Sequence, residues 1–243
     1  MSLTVPGRDV YWHQTIGTTM DEAARLAFEG AASGTIVGAD SQTSGQGRLG
    51  RTWHSPAGDG LYFTVILRPP IDLRHLPVIT LALGCAVHDA ILILAGIYGD
   101  LRWPNDVLLS EKKVCGILTR YEHGAVLAGI GLNVNQESFP NELSSIATSL
   151  RMETGRTFDR QELLRFLAAS IDTQVNILTR TGSDSVLRAF SARSTYTEHR
   201  RVLVDGEIAG TTAGLTSDGF LKLRKKDGEV IVIHAGGVRP LEE

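Results

Sequence analysis

Three glycines within six residues fix the position of a bend in this chain. The stretch from Ser41 to Trp53, SQTSGQGRLGRTW, contains Gly45, Gly47 and Gly50 and leads into a strand-like segment. Glycine has no Cβ atom, so it allows the backbone to bend sharply and to approach a ligand closely. The pattern therefore predicts a ligand-facing loop here, followed by a strand.

Two arginines in the same stretch suggest the charge of that ligand. Arg48 and Arg51 carry forked donors that suit a phosphate or a carboxylate. Taken by itself, the stretch also fits an arginine-bearing surface loop without a ligand. The other motifs of the chain favour the anion-binding interpretation.

The glycine spacing G-x-G-x-x-G is also that of a dinucleotide-binding loop. Such a loop opens a helix and is followed about 20 residues later by an acid that binds a ribose. This chain instead continues into the strand-like segment Leu61–Leu67, and no G-K-[ST] follows to make a phosphate loop of the Walker type. Neither nucleotide motif explains the stretch.

Composition permits one large core or a large domain with a small one. The chain has 243 residues, of which 42% are hydrophobic, and a net charge of −3 from 24 basic and 27 acidic residues. This balance gives no global electrostatic reason to bind nucleic acid or an anionic membrane. The loop arginines are therefore expected to act locally.

Cysteine spacing and the hydropathy pattern favour the reducing cytoplasm. Cys85 and Cys115 lie thirty positions apart without a C-x-x-C pattern, so neither a disulfide framework nor a zinc site is indicated. The N-terminus lacks the layout of a signal peptide. The apolar stretch Leu76–Tyr98 is interrupted by His88 and Asp89, which favours a buried helix over a membrane span.

Periodicity predicts alternating strands and helices up to about residue 195. We expect strands at Val10–Thr15, Thr35–Ala39, Leu61–Leu67 and Ala125–Gly131, a β-hairpin within Arg102–Glu122, and helices from a Thr18 or Thr19 cap to Glu29 and over Asp159–Thr179.

From Arg201 the pattern changes to short alternating runs. They are separated by three Asp-Gly pairs, at residues 205–206, 218–219 and 227–228, which favour tight turns between strands. The tail is predicted to form a small meander or barrel of about five strands. The expected organisation is an α+β domain over residues 1–195 and an all-β domain over 196–243.

Three further segments carry polar residues beside strand-like runs. They are Arg102–Asp106 (RWPND), Lys113–Leu118 (KVCGIL) and Gly129–Asn135 (GIGLNVN). Asn105 and Asp106 follow a proline and are expected on a rigid turn, as ligand-binding groups or as a capped turn. Lys113 is interpreted as a point charge for an anion or, alternatively, as a hairpin-edge lysine.

Gly116 and Asn133 complete the set of candidates. Gly116 would let a flat ligand or another backbone approach its strand. Asn133 could offer a donor and an acceptor to a nucleobase edge, although asparagine after glycine also favours a turn. Each motif alone is only moderately specific.

The order of these motifs resembles that of the biotin protein ligases. G-x-G-R-x-G-R-x-W, W-P-N-D, K-x-x-G-I-L and G-I-G-x-N-V-N follow one another, and the resemblance runs from about Thr15 to Val238. It implies a mixed, seven-stranded β-sheet flanked by helices, related to class II aminoacyl-tRNA synthetases, with a C-terminal SH3-like β-barrel. It also implies a reaction in which biotin and ATP give biotinyl-5′-AMP and pyrophosphate, after which a carrier-protein lysine takes the biotin as an amide.

The resemblance assigns roles to residues that match the motifs. The implied catalytic residues are Lys113, Arg48, Arg51 and Asp106; the biotin-binding residues are Thr18, Thr19, Gln42, Gly45, Arg48, Lys113, Gly116 and Ile117; and the ATP-binding residues are Arg48, Arg51, Trp53, Asn105, Lys113 and Asn133.

Within that set, Lys113 would bridge the biotin carboxylate and the α-phosphate, while Arg48 and Arg51 would lie on a mobile loop that closes over the adenylate. Trp53 would stack on or border the adenine, or it is a core tryptophan. Asp106 is a hypothesis for orienting the acceptor lysine or accepting its proton.

Three positions depart from the family pattern. Arg102 stands where a lysine is usual before W-P-N-D, and the two side chains differ in hydration and geometry. Gln46 and Leu49 occupy loop positions that are often arginine. The loop thus carries less positive charge than in some relatives, although Arg48 and Arg51 remain.

The implied ligands are ATP, biotin and Mg²⁺, and the implied partner is the biotin carboxyl carrier domain of acetyl-CoA carboxylase or a related carboxylase. A homodimer through a sheet edge is also possible. Only about ten residues precede the first expected strand, so we expect a monofunctional ligase without a DNA-binding domain and without operator binding. Two alternatives remain: a lipoate or octanoyl ligase, whose arginine, glycine and histidine motif is not found, and a non-catalytic binding module.

Overall fold

The computed structural model describes residues 2–241 and contains two β-sheets. The strands and helices are, in chain order, β1 (Val10–Ile16), α1 (Thr19–Phe28), β2 (Ile36–Gln42), β3 (Gly60–Leu67), α2 (Leu76–Ala95), β4 (Asp100–Arg102), β5 (Asp106–Leu109), β6 (Lys112–Glu122), β7 (Ala125–Asn133), α3 (Asn141–Ser144), α4 (Leu150–Thr154), α5 (Arg160–Thr181), α6 (Ser183–Ser191), β8 (Glu198–Val204), β9 (Ile208–Leu215), β10 (Leu221–Arg224), β11 (Val230–Ile233) and β12 (Val238–Pro240).

The first sheet has seven strands in the order β1-β2-β3-β7-β6-β5-β4. Strand β1 runs parallel to β2, and the other neighbours are antiparallel. One face packs against α2, which also contacts α5 and α6, and the other face packs against α1. The predicted α+β architecture, with a mixed seven-stranded sheet flanked by helices, is confirmed.

Helix α2 is the buried helix that the apolar stretch predicted. It is long and apolar enough to cross a membrane by length and composition, but 72% of its most apolar window is buried inside the protein. It is apolar on all sides because it lies between the sheet and α5. It ends at Ala95 rather than at Tyr98, since Gly96 adopts a left-handed conformation with φ 73°.

The predicted hairpin is formed by β5 and β6. Its two-residue turn consists of Ser110 and Glu111, both with positive φ, which matches the twist of antiparallel strands. The Trp103–Pro104 bond just before β5 is cis. Three helices were not identified from the sequence: α3 and α4 are short, and α6 follows α5 directly after Gly182.

The second sheet has five antiparallel strands in the order β11-β10-β9-β8-β12. The three Asp-Gly pairs lie in the β8–β9, β9–β10 and β10–β11 connections, as predicted. Apolar packing and several long-range hydrogen bonds join this sheet and its connections to the first sheet, and two of these hydrogen bonds lie near the glycine loop and the Trp103–Pro104 turn. The indole nitrogen of Trp103 donates to the Gly219 carbonyl at 2.9 Å, and Arg48 Nη1 donates to the Gly236 carbonyl at 3.3 Å.

Candidate active site

A cavity of about 50 Å³ lies over β6 and β7 at the end of the glycine loop. It is lined by Thr18, Thr19, Met20, Gln42, Gln46, Gly47, Arg48, Trp53, Phe63, Asn105, Lys113, Gly116, Ile117, Leu118, Gly129, Ile130 and Gly131. A cavity of this volume holds only a few water molecules. A larger ligand therefore requires the loop or the side chains above it to move.

The floor of the cavity is a bare patch of sheet. Gly116 of β6 pairs directly with Gly131 of β7, and Gly129 lies on the same face two residues earlier. A Cβ atom on Gly131 would lie 2.4 Å from the indole of Trp53, and one on Gly116 would lie 2.9 Å from the same ring. The glycines are therefore required for the close approach of a flat group.

Trp53 covers this patch. Its indole nitrogen is buried and has no hydrogen-bond partner among the described residues. The ammonium of Lys113 lies 5.2 Å from the ring centroid, within the range of a cation–π contact. The indole thus lies between the glycines of β6 and β7 and the loop, and its nitrogen is available to donate a hydrogen bond to a ligand.

The cationic end of the site is organised around Asp106. Its Oδ1 lies 2.5 Å from Nζ of Lys113, and its Oδ2 lies 2.7 Å from Nη2 of Arg102. Burial alone would raise the pKa of Asp106, but the charges of Lys113 and Arg102 outweigh it and hold the pKa below its ordinary value. Asp106 is therefore ionised at neutral pH.

Arg48 adds a further positive charge. Its Nη1 donates to Oδ1 of Asn105 at 3.2 Å and to the Gly236 carbonyl. Burial lowers the pKa of Arg48, and the nearby charges of Asp106 and Asp205 offset this only in part. Because a guanidinium stays protonated in proteins, this desolvated charge favours the arrival of an anion.

Asn105 fixes the position of Arg48 relative to the sheet. Its amide nitrogen donates to the Ile117 carbonyl at 2.8 Å, and the Ile117 nitrogen donates to the Asn105 carbonyl at 3.0 Å. The amide oxygen is left to accept from Arg48. The turn predicted after the proline therefore links β6 to the loop.

The opposite end of the cavity is uncharged. Gln42 Oε1 accepts from the backbone nitrogen of Thr19 at 2.9 Å and lies 3.2 Å from its hydroxyl. The amide nitrogen of Gln42 donates to Oγ of Ser55 at 3.0 Å. Thr18 caps α1 by accepting from the Met20 nitrogen. Donors and acceptors are thus placed side by side on an otherwise apolar wall.

The glycine loop closes on itself before reaching Trp53. The Gly47 nitrogen donates to the Arg51 carbonyl at 2.7 Å, and the Trp53 nitrogen donates to the Gly45 carbonyl at 2.9 Å. Leu49 and Gly50 between them adopt positive φ. The stretch contains a single 3₁₀ turn, Arg48–Gly50, so the predicted loop is confirmed.

Nine of the thirteen residues to which the resemblance assigns a role line the cavity. They are Thr18, Thr19, Gln42, Arg48, Trp53, Asn105, Lys113, Gly116 and Ile117. The structure does not bring the other four into this lining.

Each of these four has a defined position. Arg51 is exposed and lines a larger, open cavity of about 760 Å³ on the loop, to which Arg48 also contributes. Gly45 lies beneath the carbonyl of Trp53. Asp106 is paired with Lys113, and Asn133 is buried with its amide nitrogen donating to the Thr148 carbonyl at 2.9 Å.

Several residues of the site were not identified as functional from the sequence. Gly129 and Gly131 had a detectable signal, since glycines two positions apart on a strand leave one face bare. Met20 and Phe63 had none, because ordinary core positions also hold such residues. Ser55 and Thr64 reach Gln42 and Thr19 only through the fold.

No group of three or more histidine, cysteine, aspartate or glutamate side chains within residues 2–241 is arranged to hold a metal ion. Both cysteines are free and buried. Burial raises the pKa of Cys85 to about 12 and also raises the pKa of Cys115, so neither is a thiolate at neutral pH.

Comparison with known proteins identifies relatives over most of the chain. The profile of the Biotin/lipoate A/B protein ligase family matches residues 12–137. The bifunctional ligase/repressor BirA of Bacillus spizizenii is 36% identical over 92% of this chain and 72% of its own length. The biotin–acetyl-CoA-carboxylase ligase of Mycobacterium tuberculosis is 31% identical over 93% of this chain and 86% of its own.

A solved structure is similar over nearly the whole fold. The biotin protein ligase from Aquifex aeolicus in complex with biotin and ATP superimposes with a TM-score of 0.84, at 32% identity, over 97% of this chain and 99% of that one.

Proposed function

This chain belongs to the Biotin/lipoate A/B protein ligase family, and we propose that it is a biotin ligase that uses ATP. It converts biotin and ATP into biotinyl-5′-AMP and pyrophosphate, and then transfers the biotinyl group to a lysine of a biotin carboxyl carrier domain. The relatives named as biotin ligases and the Aquifex structure support this reaction.

One observation carries the proposal: the cavity joins an uncharged hydrogen-bonding end to a cationic end across bare glycines. Biotin has the matching sequence of groups, a ureido ring, an apolar ring and chain, and a carboxylate. Thr19 and Gln42 offer the donor and acceptor that a ureido group needs. Lys113 and Arg48 lie where an anion is required.

The first step brings two anions together. A carboxylate oxygen of biotin attacks the α-phosphorus of ATP, a new O–P bond forms, and the bond to pyrophosphate breaks. Cations must offset the repulsion and stabilise the charge that develops on the phosphoryl oxygens. Lys113 bridges the carboxylate and the α-phosphate in this proposal, and Arg48 contacts the phosphate.

The second step transfers the acyl group. The amine of the carrier lysine attacks the acyl carbon of biotinyl-5′-AMP, a C–N bond forms, the bond from the acyl carbon to the phosphate oxygen breaks, AMP leaves, and the proton released by the amine passes to solvent. Asp106 has a lowered pKa and is therefore a weak base, which favours orienting the incoming lysine over accepting its proton. Trp53 and Asn105 border the adenylate, and Arg51 reaches it when the loop moves.

The loop must open and close during this cycle. In the structure Trp53 covers the glycine patch and leaves about 50 Å³. The bicyclic ring of biotin and the nucleotide need more volume than this. Closure over the adenylate would then exclude water from a reactive mixed anhydride.

The roles of Gly45 in the biotin site and of Asn133 in the ATP site stay predictions. Mg²⁺ would enter with the phosphates of ATP, retaining waters and needing one or two carboxylates at most. A monofunctional ligase without operator binding also stays a prediction.

The finer architecture is part of the proposal. Five antiparallel strands with short turns support an SH3-like barrel over residues 196–243, following a catalytic domain over 1–195 that is related to class II synthetases. The buried free thiols fit the reducing cytoplasm. A homodimer could form through β1, which pairs on one side only with β2 in the described sheet.

The decisive experiment combines an exchange assay with mass spectrometry. Biotin should drive exchange of pyrophosphate into ATP in the presence of Mg²⁺, and lipoate should not. Incubation with a carboxylase carrier domain should add one biotinyl group to it. Exchange driven by lipoate would favour the lipoate ligase, and no exchange with either acid would favour a binding module.

A further inference from the structure

The uncharged end of the cavity belongs to a longer chain of hydrogen bonds. Thr64 of β3, Thr19 of α1, Gln42 of β2 and Ser55 after the loop follow one another within hydrogen-bond distance. Ser55 Oγ then lies 3.1 Å from the Trp53 carbonyl. Four segments that are distant in sequence thus meet behind the wall of the cavity.

The direction of this chain follows from its obligatory donors and acceptors. The backbone nitrogen of Thr19 can only donate, so the Gln42 atom that faces it is the oxygen. The amide nitrogen of Gln42 consequently faces Ser55 and donates to it. The Ser55 hydroxyl then donates to the Trp53 carbonyl, which can only accept.

The same reasoning orients the two threonines. Gln42 Oε1 cannot donate, so the Thr19 hydroxyl is the donor in that contact. The contact between Thr19 and Thr64, 2.9 Å long, then has Thr64 as its donor. Thr64 is fully buried, and its contact with Thr19 is the one hydrogen bond that its hydroxyl makes among the described residues.

We propose that Thr64 and Ser55 are positioning residues that fix which hydrogen bonds Thr19 and Gln42 offer to the ligand. With both neighbours in place, Thr19 Oγ1 has one lone pair left and can only accept, while Gln42 Nε2 has one N–H left and can only donate. A neighbouring acceptor and donor match the N–H and C=O groups of a cyclic urea. The inference rests on the proposed function, since it concerns the ureido end of biotin.

The packing around Gly45 supports a dedicated arrangement. A Cβ atom on Gly45 would lie 2.5 Å from the Trp53 carbonyl oxygen, 2.8 Å from Ser55 Oγ and 3.1 Å from Gln42 Nε2. Any larger residue there would displace this part of the chain of hydrogen bonds. Gly45 therefore acts on the biotin site through Ser55 and Gln42, which explains why it lies outside the cavity lining.

The test compares variants of Thr64 and Ser55, which lie at the two ends of this series of hydrogen bonds. Thr64→Val keeps the side-chain shape and removes the hydroxyl, Thr64→Ser restores it, and Ser55→Ala removes the other end. Loss of one such hydrogen bond should raise the KM for biotin about tenfold in Thr64→Val and Ser55→Ala. In both variants the KM for ATP and kcat in pyrophosphate exchange should stay within about twofold of wild type. In Thr64→Ser the KM for biotin should also stay within about twofold of wild type.

Thr80→Val is the matched control. Thr80 on α2 pairs with Thr119 through a hydroxyl contact of 2.7 Å, away from the cavity. This variant removes the same type of bond and should leave the KM for biotin unchanged. Isothermal titration of biotin without ATP should show the same pattern in Kd.

Wild-type KM for biotin in Thr64→Val and Ser55→Ala, or an equal rise in the KM for ATP, would overturn the inference. Should Thr64→Val fail to fold, Ser55→Ala alone decides, because it removes one hydroxyl from a buried residue and keeps the rest of the side chain. An inactive wild-type protein would instead contradict the proposed function, which keeps the two failures distinguishable.

Discussion

At the scale of single residues, Lys113 and Asp106 show how the site is prepared for its substrates. The ammonium of Lys113 lies 2.5 Å from Asp106, so a substrate carboxylate must compete with a carboxylate already present. Arg102 holds the other oxygen of Asp106 and limits its movement. Among these three side chains and Arg48, three positive charges face one negative charge, which leaves an excess of positive charge for anionic ligands.

Lys113→Ala should depress adenylate formation while the fold stays intact. Removing one preorganised cationic donor typically reduces the rate on the order of 10²–10³-fold. Biotin-dependent pyrophosphate exchange measures this step directly, and circular dichroism checks the fold. The control is Lys112→Ala on the same strand, whose ammonium contacts the Ser144 carbonyl at 3.3 Å. Wild-type exchange in Lys113→Ala would remove this residue from the mechanism.

Asp106→Asn should destabilise the protein in a pH-dependent way. The pKa of Asp106 is lowered in the folded state, so its contribution is present above the ordinary carboxyl pKa of about 4 and is lost as the pH falls through the lower folded value. At pH 7 the variant leaves Lys113 and Arg102 without their counter-charge, at a cost of about 3 kcal/mol.

Urea unfolding at pH 7 and pH 3 measures this difference. The difference in the free energy of unfolding between wild type and Asp106→Asn should be largest at pH 7 and smaller at pH 3, because at pH 3 the carboxyl of Asp106 is already protonated in the unfolded state and part of the stabilisation is lost. Asp172→Asn, which alters an exposed partner of Arg8, is the control. Its free energy of unfolding should differ little from that of wild type at both pH 7 and pH 3. A gap of equal size at pH 7 and pH 3 would show that the ion pairs do not stabilise the fold.

At the scale of elements, the bare face of β6 and β7 determines what can lie in the cavity. The alternation of Gly129 and Gly131 along β7 places both glycines on the same side, opposite Gly116 and Leu118 of β6. The segment was recognised as a motif from the sequence, but its register was not. Pairing Gly116 with Gly131 depends on how the two strands align, which no local pattern specifies.

Gly131→Ala should therefore reduce activity through the position of Trp53. The added Cβ would lie 2.4 Å from the indole, so the ring or the strand must shift. Overpacking of this kind costs about 1–3 kcal/mol, which corresponds to a fall in kcat/KM of about tenfold to a hundredfold. Iodide should quench the displaced indole more strongly than in wild type.

Gly84→Ala is the matched control for this substitution. Gly84 lies inside α2, where a Cβ would make an ordinary contact of 3.5 Å with Phe190. This change should leave kcat/KM unaltered and stabilise the protein by about 0.4–1 kcal/mol. Unaltered kcat/KM in Gly131→Ala would mean that the close approach of Trp53 has no role in the reaction.

Across the two sheets, structure encoded by neighbouring residues was predicted from the sequence, whereas contacts between residues distant in the sequence were not. The three Asp-Gly turns, the apolar α2 and the glycine loop are encoded by neighbouring residues, and each was predicted. The contacts of Arg48 were not, because the partner Gly236 lies 188 residues away. The connection between β11 and β12 thus contacts Arg48, which lines the cavity over the first sheet. This contact forms only when the two sheets pack together.

Asp205 offers a test of whether that contact serves the reaction. Its Oδ1 accepts from the Gly237 nitrogen at 2.6 Å, so it fixes the segment whose Gly236 carbonyl binds Arg48. Asp205→Ala should loosen this segment and raise the KM for ATP about threefold to tenfold, as expected for one lost hydrogen bond. The KM for biotin should change less, because none of the described hydrogen bonds of Thr19 and Gln42 reaches the second sheet.

Asp227→Ala separates this effect from a general effect on the second sheet. Asp227 lies in another Asp-Gly turn, between β10 and β11, where its Oδ1 accepts from the Glu229 nitrogen at 3.0 Å. It has no contact with Arg48 among the described hydrogen bonds, so its KM for ATP should equal that of wild type. An equal rise in both variants would mean that any loosening of the second sheet affects ATP binding, and the specific coupling of Gly236 to Arg48 would then be unnecessary.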